Sequence, residues 1–126
     1  MPTKSRRIVL LSVALFAVIV FAATASAESG KLEGKVVAVI KANAAGKCPA
    51  DLLGPVLLDQ CEQQIDRIQA RLSSLGSIEE VQYKGIDQLP NGMEVEVYKV
   101  SFQKGHMLWL AAGGGNGKLN YLWSPG

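Results

Sequence analysis

The sequence predicts an α+β fold in which helical segments precede a four-stranded antiparallel meander. Three observations predict it. An apolar stripe at helical spacing runs through residues 57–75, and the apolar period drops to two after residue 77. The second half is punctuated by turn chemistry, and it holds every aromatic residue beyond position 27: Tyr83, Tyr98, Phe102, Trp109, Tyr121 and Trp123.

The elements follow in order. Leu32, Val36, Val39, Ile40 and Asn43 keep helical spacing, but Gly34 and the β-branched Val36, Val37, Val39 and Ile40 argue for a strand. The reading leans to helix with strand left open, and Gly46 is placed to stop such a helix in the left-handed conformation. The long helix is expected over about 55–75, because Leu57, Cys61, Ile65, Ile68, Leu72 and Leu75 form one stripe. Pro55 suits its first turn, where a missing N–H costs nothing, and Gly76 ends it. On its wet side the like-charge pairs Glu62–Asp66 and Arg67–Arg71 stand four apart, so surface pairing contributes little.

Strands follow. Val81 and Tyr83 alternate with Glu80, Gln82 and Lys84 in a first strand reaching about residue 86. Leu89-Pro90-Asn91-Gly92 is a turn, with proline presetting φ and Asn-Gly accepting positive φ. The second strand, 93–103, changes apolar phase from Val95 and Val97 to Val100 and Phe102, which implies a bulge or burial on both faces. Lys104-Gly105 turns the chain into a third strand over 106–112. The glycine-rich run 113–117 then leads to a fourth over 118–123.

Of the 126 residues, 13 are basic and 11 acidic, but Lys4, Arg6 and Arg7 are the only charges before Glu28. The remainder is close to neutral and lacks the basic field that nucleic acid or an anionic membrane surface calls for. Residues 1–27 read as a signal peptide. A basic start and the apolar run 8–23 precede Ala25-Ser26-Ala27, a small-x-small cleavage site. The alternative is an uncleaved membrane anchor, the one expected membrane contact. Ser5-Arg6-Arg7-Ile8-Val9-Leu10 also resembles the opening of a twin-arginine signal, and the general and twin-arginine routes both stay open. A periplasmic or secreted location is expected, with residues 28–126 forming one domain and a core over about 32–124. In an oxidising compartment Cys48 and Cys61 are expected to form a disulfide. Two buried free thiols are the alternative.

Catalytic constellations are scarce, and no cofactor or metal is expected. His106, the sole histidine, stands one residue past a hairpin turn and reads as an exposed strand end. Asp87 reads as a turn residue, and Glu94 and Glu96 as like charges at an exposed edge. The glycine run 113–117 joins two strands with no helix after it, so no helix N-terminus is available for an anion. Tyr98, Trp109, Tyr121 and Trp123 are the candidates for a ligand or partner surface, against the reading that they simply pack the core.

The stretch Leu-Gly-Ser-Ile-Glu-Glu-Val-Gln-Tyr-Lys-Gly from Leu75, with Val97-Tyr98-Lys99-Val100-Ser101-Phe102, Gly105, Leu108-Trp109-Leu110 and Gly117-Lys118-Leu119, resembles a small bacterial domain. That domain occurs alone in exported proteins or appended to serine hydrolases of the β-lactamase type, and is similar to the cystatin-like, nuclear-transport-factor-two-like superfamily. The resemblance covers most of residues 32–124. It implies helices packed on a curved antiparallel sheet, sometimes around a pocket, and transfers no catalytic role to a numbered residue. The cystatin inhibitory motif Gln-x-Val-x-Gly is not matched by Gln82-Tyr83-Lys84-Gly85. The functional expectation is an exported, non-enzymatic domain that binds a small apolar ligand or an envelope protein. The alternatives are a small isomerase or lyase with an acid–base residue in a sheet–helix pocket, and an inhibitor of an extracytoplasmic hydrolase.

Overall fold

The computed structural model describes residues 30–126; the signal peptide assigned to residues 1–27 lies outside them. Two helices, α1 (Glu33–Ala44) and α2 (Pro55–Leu75), precede four strands, β1 (Ile78–Gln88), β2 (Glu94–Phe102), β3 (Gly105–Gly113) and β4 (Leu119–Trp123). The strands pair antiparallel in the order β1-β2-β3-β4, so the sheet is a meander.

The ambiguous first segment is a helix. Val36, Val39 and Ile40 are at most 1 % exposed, so burial of this face outweighs the weak helix propensity of β-branched residues. Its end is a Schellman arrangement: the Gly46 N–H donates to the Asn43 carbonyl and the Lys47 N–H to the Ala42 carbonyl. Gly46 takes φ +81°, the left-handed region that a side chain would disfavour. The connection to α2 is tied down twice. A disulfide joins Cys48 to Cys61, and a one-bridge parallel pairing sets Leu53 beside Leu119. There the Leu119 N–H donates to the Leu52 carbonyl and the Gly54 N–H to the Leu119 carbonyl.

The bulges lie elsewhere than β2. Along β1–β2, the register steps from Ile78↔Phe102 to Glu80↔Ser101 and from Tyr83↔Tyr98 to Gly85↔Val97, so β1 carries the extra residues. The β2–β3 register runs unbroken from Glu96↔Ala111 to Phe102↔Gly105. The apolar phase of β2 changes because the strand is buried on both faces. Val95 is 1 % exposed on one face, while Tyr98, Val100 and Phe102 pack into the core on the other. Another extra residue falls in β4, where Ala112↔Tyr121 is followed by Gly113↔Leu119. This shift lets both Leu119 and Leu122 join the core side.

Candidate functional site

The helices cover one face of the sheet, and strand alternation decides which side chains meet them. On β3 the buried residues are Met107, Trp109 and Ala111, while His106, Leu108 and Leu110 alternate to the other face. α2 runs over the β3–β4 side but does not seal it, and a groove of about 370 Å³ remains between them. Met107, Trp109 and Leu122 supply its sheet wall, and Leu57, Cys61, Ile68 and Leu72 its helix wall. Val39 and Asn43 of α1, with Leu53, line its inner end, and Trp123 and Ser124 line it along the edge strand.

A second stripe on α2 borders the same groove. Gln60, Gln64, Arg67 and Arg71 all line it and all are exposed. Their spacing of four, three and four places them on one side of the helix, beside the apolar stripe. No Asp, Glu or His lines the groove. Trp109 is 7 % exposed, and its indole Nε1–H is buried with no acceptor among the described residues. A buried donor without a partner is uncommon in a folded protein.

The four aromatic candidates do not assemble into one surface. Trp109 and Trp123 both line the groove, and Trp123 is 54 % exposed. Tyr121 is half-buried outside it, opposite Ala112 in the sheet. Tyr98 has no accessible surface. Its hydroxyl donates to Glu96 Oε1 at 2.5 Å and accepts from the Leu32 N–H at 3.2 Å. Tyr98 is therefore a packing and anchoring residue, with the Tyr83 ring 5.5 Å away.

Glu96 departs from the edge residue expected of it, because β2 is an interior strand. Its carboxylate accepts from the backbone N–H groups of Leu32 and Lys31 at 3.0 and 3.2 Å. It thus holds a negative charge at the start of α1, where the helix leaves N–H groups unpaired and the macrodipole favours an anion. Burial, reinforced by the Glu96 carboxylate beside it, raises the Tyr98 phenol well above the ordinary tyrosine range.

His106 pairs with Ser101 at the start of β3 and is exposed, as is Asp87 at the far end of β1. Neither borders the groove. Among the described residues no group of three or more His, Cys, Asp or Glu side chains is placed to hold a metal ion, and no helix is long and apolar enough to cross a membrane. The residues that sequence reasoning passed over are Arg67 and Arg71. Their signal was present as a basic i,i+4 pair with no acid three or four positions away on either side.

Comparison with family models, curated proteins and solved structures returned no match.

Proposed function

We propose that this chain is an exported, non-enzymatic binding domain that holds a small apolar ligand in the groove between α2 and the β3–β4 edge. The groove carries the reading. At about 370 Å³ it falls within the ~300–1,000 Å³ of small-molecule sites, and its walls are mostly apolar, with most of the polar side chains gathered along one side of α2. The Cys48–Cys61 disulfide suits an oxidising, extracytoplasmic compartment, in keeping with the signal-like start of the chain. The resemblance to cystatin-like and nuclear-transport-factor-two-like domains is of the same kind, since such domains sometimes enclose a pocket between sheet and helices.

Native mass spectrometry of the protein purified from its producing cells tests the reading. A retained small molecule, lost when Leu122→Arg fills the groove with a charged side chain, supports it. If titration with apolar probes leaves Trp fluorescence unchanged and no adduct mass is retained, the reading falls.

An envelope protein partner is the second reading, and it has its own observation. The sheet face turned away from the helices carries Leu108, Leu110 and Tyr121, all half-buried, with the exposed Trp123 beside Leu110 on the edge strand, where it also borders the groove. Antiparallel sheets usually carry polar residues on a solvated face. Capture of one envelope protein by the wild type but not by Leu110→Lys favours this reading.

A further inference from the structure

We infer that the groove selects a single-chain amphiphile with an anionic head, a long-chain carboxylate, whose head meets Arg67 and Arg71. The inference rests on the apolar-ligand reading and adds the chemistry of the ligand's polar end. Charge is the first argument. Arg67 and Arg71 border the groove, and no acidic side chain does. Their helical neighbours three and four positions away are Gln63, Gln64, Ala70, Ser74, Ile68 and Leu75, and neither arginine makes an ion pair among the described residues. At helical spacing the one charged neighbour of each arginine is therefore the other, a like-charge pair that destabilises the free helix and that one carboxylate would relieve.

Hydrogen-bonding sense is the second argument. The guanidinium groups are donors only, and so is the Trp109 indole, whose Nε1–H is buried without an acceptor. Asn43 Nδ2 is already engaged with the Lys47 carbonyl, and the Ser124 hydroxyl with that of Leu108. Gln60 and Gln64 can both donate and accept, so the lining side chains that only an acceptor can satisfy are the two arginines and Trp109. An alkyl chain brings no polar group to the apolar walls and leaves its carboxylate head to meet these donors. At about 370 Å³ the groove lies near the small end of ligand sites, which suits one chain rather than a diacyl lipid.

The test titrates the purified protein with dodecanoate, dodecanol and dodecyltrimethylammonium below their aggregation thresholds, following Trp fluorescence. Dodecanoate should bind at one site and more tightly than dodecanol by about tenfold or more, the scale of a charge-assisted hydrogen bond. That preference should shrink as salt is added. R67Q/R71Q should lose the preference while its dodecanol affinity stays put, and R67K/R71K should keep most of it. Both positions are exposed, so the variants fold, which circular dichroism checks. R67E/R71E should turn the preference towards dodecyltrimethylammonium. If dodecanol and dodecanoate bind equally, or R67Q/R71Q leaves the preference intact, the anionic-head inference is overturned while the apolar-ligand reading stands. If none of the three binds, both fall together.

Discussion

Replacing both cysteines, Cys48→Ala with Cys61→Ala, reopens a loop closed between positions 13 residues apart. In the chain-entropy account a closed loop of this length removes about 3 kcal/mol of unfolded-state freedom. Folded-state packing adds to that figure, since Cys61 is 8 % exposed in the core and Cys48 packs against it, while the hydrogen bond at the sulfur adds little. Asn43 Nδ2 approaches Cys61 Sγ at 3.4 Å, but it also donates to the Lys47 carbonyl at 2.8 Å and so keeps a partner in the variant. The bonds between Leu52, Gly54 and Leu119 hold the same loop in the native state. They are broken on unfolding and cannot replace the cross-link there. A loss of about 3 kcal/mol lowers Tm by roughly 12–24 °C for a domain near 100 residues. Urea unfolding measures it: the midpoint should fall by roughly 1–3 M, and wild type unfolded in reductant should behave as the double variant does. A loss under about 1 kcal/mol with the same denaturant slope would refute the reasoning, because the constraint would then not act through the unfolded chain.

Three further outcomes follow from named contacts. Because the folded pKa of Tyr98 lies above its unfolded value near 10, its contribution is fully present below about pH 10. It is lost as pH rises further, by about 1.4 kcal/mol per pH unit, because only the unfolded chain ionises there. Tyr98→Phe should remove this component of the alkaline slope in denaturation curves taken from pH 9 upward, at a neutral-pH cost of about 1 kcal/mol. Glu96→Ala should cost about 2–3 kcal/mol, since it strips an acceptor from Tyr98 and from two backbone N–H groups. Hydrogen exchange should then quicken first at the start of α1, with Glu96→Gln milder. His106→Gln should leave folding and any ligand binding within about 0.5 kcal/mol of wild type, because the side chain is exposed and outside the groove. A measurable turnover lost through that change alone would bring the acid–base alternative forward.

Local sequence determined the elements that depend on local chemistry. The 57–75 stripe sets α2 because apolar positions three and four apart can be buried together only on a helix. Asn91-Gly92 sets the β1–β2 turn, where Gly92 has φ +87° and Asn91 accepts the Met93 N–H. Gly46 and Gly76 stop the helices for the same backbone reason. The helical state of residues 33–44 is different: propensity left it open, and the core that takes up Val36, Val39 and Ile40 decided it. The bulges in β1 and β4 are likewise tertiary, because register is a relation between strands that no one strand's pattern contains. Sequence alone could not separate Tyr98 from Trp109, two aromatics that prove to be cross-strand partners. Tyr98 is claimed by Glu96 beneath the start of α1, while Trp109 borders the space that α2 leaves open. Where a helix fails to cover a sheet depends on how the layers pack, and that alone set Arg67 and Arg71 at the rim of a groove.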